Sequence, residues 1–144
     1  MVDDYLWLDA KCDSDIPDRH KLIVLVGPTL LGKTQWARSL GRHIYWKGSI
    51  NVKNLTTNRD YQYIVIDDID WQYIPEVIKK NVLLGTGDAT VVQKYMAPTD
   101  IYQNKPCIFI MNPLDESYDQ LGYFFNSGYW AANTVVIKIK HKLF

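Results

Sequence analysis

Gly27-Pro28-Thr29-Leu30-Leu31-Gly32-Lys33-Thr34 places two glycines, a lysine and a hydroxyl within one short stretch. Those residue types at that spacing suit a polyphosphate. Glycines let the backbone N–H groups turn inward onto phosphate oxygens. A helix that follows offers its positive N-terminal end to the same anion. The lysine reaches the β- and γ-phosphates, and the threonine hydroxyl is a hard ligand for Mg²⁺. At ordinary residue frequencies this pattern would arise by chance in a chain of this length roughly half a percent of the time.

About thirty residues beyond Lys33, Tyr63-Ile64-Val65-Ile66 runs into Asp67-Asp68. A carboxylate at the end of an apolar strand needs a partner, because burying charge alone is costly. Asp67 is therefore assigned to Mg²⁺ through a bound water, and Asp68 to orienting or deprotonating an attacking water. Asp70 reads as a turn residue. The pair of motifs implies ATP with Mg²⁺ as cofactors, and hydrolysis rather than transfer.

The elements that must position these groups are legible around them. Lys21–Val26 and Cys107–Met111 are continuous apolar runs, as strands buried on both faces require. Lys33–Leu40 reads as a helix with Trp36, Ala37 and Leu40 on one face and Gly41 as a left-handed stop. His43–Trp46 reads as a short second strand. Pro75–Leu84 reads as a helix ending at Gly85. Thr90–Met96 and Thr99–Gln103 flank Ala97-Pro98 as a hairpin. Asp4–Ala10 and Glu116–Phe125 read as short helices, and Thr134–Lys140 as a half-exposed strand. Apolar strands separated by helices predict an α/β fold with a mostly parallel central sheet, helices on both faces and a protruding β-hairpin.

The chain has 144 residues, 16 basic and 16 acidic, so no net charge. One core is expected, and a globally basic nucleic-acid binder is excluded, though a local basic patch is not. The two cysteines, Cys12 and Cys107, have no metal-ligand spacing and read as reduced thiols of an intracellular protein. No apolar run approaches the length of a membrane span.

Four stretches carry a more specific likeness: Gly-Pro-Thr-Leu-Leu-Gly-Lys-Thr-Gln-Trp-Ala-Arg-Ser-Leu-Gly (27–41), Val-Ile-Asp-Asp-Ile-Asp (65–70), Gln-Lys-Tyr-Met (93–96) and Lys-Pro-Cys-Ile-Phe-Ile-Met-Asn-Pro (105–113). In this order they resemble the helicase domain of replication initiator (Rep) proteins of circular single-stranded DNA viruses, such as geminiviruses and genomoviruses, and of related plasmids. The likeness covers roughly residues 20–115. It implies an AAA+-like superfamily 3 helicase: a ring, often hexameric, that moves on single-stranded DNA in the nucleus of a eukaryotic host. Residues 27–34 match its motif A, and Asp67 and Asp68 its motif B. Residues 90–106 match the B-prime hairpin that enters the channel, and Asn112 the motif C sensor of the γ-phosphate and attacking water.

The resemblance implies a motor domain over 21–144, preceded by residues 1–20 as the end of oligomerising helices. Lys94, Tyr95 and Lys105 supply cations and a ring for DNA, although a solvated hairpin with one core tyrosine fits the residues equally. The arginines, Arg19, Arg38, Arg42 and Arg59, all precede motif B, whereas the family's trans-acting arginine usually follows motif C. Either a lysine after Asn112 replaces it or an earlier arginine does. No His-x-His pair is present, so no DNA cleavage is expected. The alternative reading is a small phosphate-loop kinase acting on a metabolite, which lacks its lid arginines here. A scaffold that binds ATP without hydrolysing it is the third.

Overall fold

The structure, a computed structural model, describes residues 21–27, 32–57, 60–92, 97–111 and 128–139. Its centre is a five-stranded sheet. In chain order the elements are β1 (Leu22–Val26), α1 (Lys33–Arg38), β2 (His43–Lys47), α2 (Asn54–Thr57) and β3 (Tyr63–Asp67). A 3₁₀ turn (Trp71–Tyr73) follows, then α3 (Glu76–Ile78), which widens into a π turn over Lys79–Leu83. The rest are β4 (Gly87–Val91), β5 (Thr99–Gln103), β6 (Cys107–Met111), α4 (Gly128–Asn133) and β7 (Thr134–Lys138).

The sheet runs β2-β3-β6-β1-β7, and every pairing in it is parallel. The three inner strands read as unbroken apolar runs because both their faces are covered: β1 and β6 are buried throughout, and β3 up to Asp67. Strand alternation then divides the core in two. Ile23, Leu25, Tyr63, Val65, Ile108 and Ile110 pack with Trp36 and Ala37 of α1. Their neighbours Leu22, Val24, Val26, Ile64, Ile66 and Phe109 face the α3 and π-turn residues, Trp71 and Trp130. Trp71 meets Phe109 and Trp130 edge-on, with centroids 5.4 and 5.0 Å apart. Helices therefore cover both faces, as expected.

Helix α1 ends differently from the expectation. Gly41 has φ 157°, outside the left-handed helical range. The helix stops at Ser39, whose hydroxyl donates to the Trp36 carbonyl at 2.7 Å. Glycine is favoured at 41 because residues with a side chain rarely adopt a φ of +157°. Gly85, by contrast, has φ 61° and does stop its helix in the left-handed conformation. Strand β4 spans Gly87–Val91 rather than starting at Thr90, so the first hairpin arm is earlier than the sequence pattern suggests, whereas β5 falls at Thr99–Gln103 as expected. The short helices expected at 4–10 and 116–125 lie outside the described residues. Among the described residues no helix is long and apolar enough to cross a membrane.

Candidate nucleotide site

The site forms at the carboxyl ends of the parallel strands, the usual place for ligands in open α/β sheets. Gly27 directly follows β1. The Gly27 N–H points to the Met111 carbonyl of β6, and on the other side Ile139 N–H donates to the Val26 carbonyl. A Cβ on Gly27 would sit 2.7 Å from the Ile139 carbonyl oxygen, so only glycine lets β7 close against the loop. Gly27→Ala is expected to lower stability by about 1–3 kcal/mol through overpacking, read as a fall in the midpoint of thermal unfolding. At the other end of the loop Gly32 has φ 82°, and α1 begins there with no side-chain cap. A left-handed residue followed by helical ones turns successive N–H groups to one side. Pro28, Thr29, Leu30 and Leu31 lie outside the described residues.

Lys33 is 5% exposed, and its ammonium donates to the Gly27 carbonyl, across the base of the loop. Burial lowers its pKa below the ordinary lysine value, while the charge of Asp67 acts in the opposite direction. The group is thus a desolvated cation held near a carboxylate, and added negative charge beside it would stabilise its protonated form.

The alternation of β3 decides which aspartate meets α1. Tyr63, Val65 and Asp67 share the face that α1 covers. Tyr63 pins the far end of the helix: its hydroxyl donates to the Ala37 carbonyl and accepts from Leu40 N–H at 3.2 Å. Four residues along the strand, about 13 Å at strand rise, Asp67 Oδ2 accepts from the Thr34 hydroxyl at 2.9 Å. Helix and strand are therefore joined at both ends. Asp68 leaves the sheet in the left-handed conformation, φ 59°, and is exposed. Aspartate tolerates that conformation better than most residues. Asp70 opens the 3₁₀ turn and accepts from Gln72 at 3.2 Å, a turn role as expected.

Tyr45 completes the cluster and lies outside the sequence motifs. Its hydroxyl donates to Asp67 Oδ2 at 2.7 Å. Burial, then this hydrogen bond and the charge of Asp67, push its pKa up to about 12, so it remains a donor throughout the working pH range. The signal was available in His43-Ile44-Tyr45-Trp46-Lys47. Ile44 and Trp46 alternate inward, which sends Tyr45 to the α1 face, but its partner depends on the pairing of Tyr45 with Val65.

Strand β6 lies between β1 and β3, and its last residue, Met111, pairs with Val26. Asn112 follows immediately in sequence and is outside the described residues. Of the arginines, Arg38 lies over the Tyr45 ring, 4.0 Å from its centroid, and Arg42 pairs with Asp60 at 3.2 Å on the surface. Arg19 and Arg59 lie outside the described residues.

In the hairpin, β4 and β5 pair antiparallel from Gly87–Gln103 to Val91–Thr99. Its outward face carries Asp88, Thr90, Asp100 and Tyr102, all exposed. Neither arm contains a lysine or arginine. Lys94 and Tyr95 fall between the arms, outside the described residues. Lys105 is not on an arm. It sits half-buried in the turn into β6, where its N–H donates to Gln103 Oε1 at 3.1 Å and its carbonyl accepts from Gln103 Nε2 at 2.7 Å. Gln103 is fully buried and also receives the Tyr61 hydroxyl at 2.6 Å.

No family model matches the chain. It is 40% identical over 100 residues to the replication-associated protein of Bean yellow dwarf virus, across 69% of this chain. The chain belongs to the viral replication-associated proteins. Chloris striate mosaic virus has another such relative, 38% identical over 115 residues and 79% of this chain. The replication-associated protein of Maize streak virus genotype C (isolate Set) is 33% identical over 126 residues, or 82%. These matches cover 28%, 31% and 34% of the respective relatives, so the chain corresponds to about a third of a replication-associated protein of circular single-stranded DNA viruses.

Proposed function

We propose that the chain is the ATP-driven motor of a rolling-circle replication initiator, a superfamily 3 helicase that hydrolyses Mg²⁺-ATP and moves on single-stranded DNA. The observation that carries this reading is the closure of Thr34 onto Asp67 beside the buried Lys33. The groups fit the nucleotide. Gly27 sits where a Cβ would meet the Ile139 carbonyl, Gly32 has φ 82°, and Lys33 is a desolvated cation between them. Thr34 and Asp67 are hydroxyl and carboxylate oxygens, the donor class Mg²⁺ prefers, and Mg²⁺ is usually held by one or two side chains together with phosphates. Bound there, Mg²⁺ would neutralise phosphate charge. Asp68, at the exposed strand end, would orient the attacking water, and Asn112, next after Met111, would sense the γ-phosphate.

In this reading the site works in a ring of copies, of which six is the expected number, within the host nucleus. An arginine or lysine from the neighbouring copy completes each site. The hairpin grips one DNA strand with Lys94 and Tyr95. The acidic outer face of the arms repels phosphates, so DNA contact is confined to residues between them.

ATP turnover measured with and without single-stranded DNA tests the proposal. Phosphate release stimulated by DNA, with no phosphorylated metabolite, supports a motor over a kinase. Turnover that DNA leaves unchanged counts against it. For the hairpin, Lys94→Ala should reduce the salt slope of DNA binding by about 1, and Lys105→Ala should add little because Lys105 lies at the hairpin's foot. Equal effects from the two would refute confinement to the tip.

A further inference from the structure

We propose that Tyr45 is a positioning residue for the Asp67 carboxylate and thereby sets the Mg²⁺ requirement of nucleotide binding. The inference rests on the nucleotide reading above and extends it to a residue outside the phosphate-binding motifs.

Tyr45 and Thr34 both donate to one oxygen, Asp67 Oδ2, at 2.7 and 2.9 Å. A hydroxyl has one proton and two lone pairs. With its proton committed to Asp67, the Thr34 hydroxyl presents its lone pairs elsewhere, ready for a cation. That arrangement holds only while the carboxylate keeps its orientation. The last torsion of an aspartate is broad and roughly two-fold, so one hydrogen bond leaves it poorly fixed. Tyr45 supplies the second, from a different strand, and so fixes the plane.

The ring that carries this hydroxyl is itself held. The Arg38 guanidinium lies over it, 4.0 Å from the centroid. Arg38 Nε donates to His43 Nε2 at 3.2 Å, and His43 Nδ1 lies 2.9 Å from the Gly41 carbonyl. A carbonyl only accepts, so Nδ1 carries the proton and Nε2 is free to accept from Arg38. His43 also stacks on Tyr63, with centroids 5.1 Å apart. The sequence from Gly41 through His43, Arg38 and Tyr45 to Asp67 is thus a continuous set of contacts on the α1 face. Its effect is to hold one phenolic hydroxyl against one carboxylate oxygen.

Tyr45→Phe removes that hydroxyl and keeps the ring under Arg38. Binding of a fluorescent, non-hydrolysable ATP analogue is titrated with Mg²⁺, and again with chelator in place of the metal. Mn²⁺ bound with the analogue is counted separately by its paramagnetic signal. Loss of a partner behind a metal ligand commonly weakens metal affinity 10- to 100-fold. Tyr45→Phe is therefore expected to raise the half-saturating Mg²⁺ concentration roughly 10-fold, and that for Mn²⁺ similarly, with metal-free analogue binding unchanged. A purely structural role would weaken binding equally with and without metal, and that result overturns the proposal. So does an unchanged metal requirement. Arg38→Ala, which loosens the ring and leaves the hydroxyl, should shift the requirement the same way by a smaller factor, and it decides the matter if Tyr45→Phe fails to fold. A wild-type chain that binds no analogue at all overturns the nucleotide reading and this inference together. Normal wild-type binding with unshifted variants overturns this inference alone.

Discussion

Lys33→Ala is expected to abolish ATP turnover, by a factor of at least ~10²–10³ from the loss of one positioned donor in a desolvated site, while leaving the chain folded. Lys33 is buried, bonded to the Gly27 carbonyl, and has a pKa depressed by that burial. The sign of its effect on stability follows. The unfolded chain binds the Lys33 proton more tightly than the folded one, so this group costs stability at every pH below its lowered folded pKa, and the cost fades as pH rises from there to the unfolded value. Removing it relieves that cost at neutral pH and offsets the small cavity left behind. Lys33→Met, which keeps most of the volume, should show the gain more clearly as a raised unfolding midpoint at pH 7. The same physics makes the group useful to an anion. Phosphate oxygens placed beside a desolvated ammonium recover the solvation that folding removed. Turnover by Lys33→Ala at the wild-type rate would remove the loop from the chemistry.

Asp67→Asn should be as damaging to turnover, ~10²–10³-fold, but for a different reason and with a different accompaniment. The amide oxygen can still accept from Thr34 and Tyr45, so the connection between α1 and β3 survives and the unfolding midpoint should change little. What disappears is the negative charge. Nucleotide binding in the presence of chelator should hold or improve, because the carboxylate no longer opposes the phosphates, while the gain in affinity that Mg²⁺ confers should largely vanish. Measuring both conditions separates loss of the metal from loss of the site. An unimpaired response to Mg²⁺ in this variant would mean that the ion is held elsewhere.

The parts of the fold legible in the sequence are those where one physical requirement dominates the local residues. β1, β3 and β6 must be apolar on both faces, and they stand out as runs. Lys33, Thr34 and Asp67 stand at a spacing that a recognisable motif sets, and the fold brings them together. The start of β4 was hidden because its alternation is built from small and polar residues, Gly87, Asp88, Ala89 and Thr90, which resemble a turn. α2 and α4, at four and six residues, are too short to show a helical period. Gly41 is related: it lies in the bend before β2 with φ 157° instead of closing its helix, and the residue type alone does not distinguish the two. Tyr45 and Gln103 are the same lesson at the site and the hairpin. Each acts on a group in another strand or turn, and which group that is depends on pairing that a linear pattern does not contain.

The position of β6 has a consequence for the growing chain. Lys33, Thr34 and Asp67 emerge during synthesis well before residues 107–111. Yet β1 and β3 have no pairing with each other, and only β6, entering later between them, brings their ends to a fixed separation of about 10 Å, two strand spacings. Until then residues 21–67 hold the charged groups of the cluster without the strand that orders them. Such distant pairings are slow to form because the loop must close before the contact rewards it. Residues 27–34 are thus synthesised well before the strand that completes the candidate site around them.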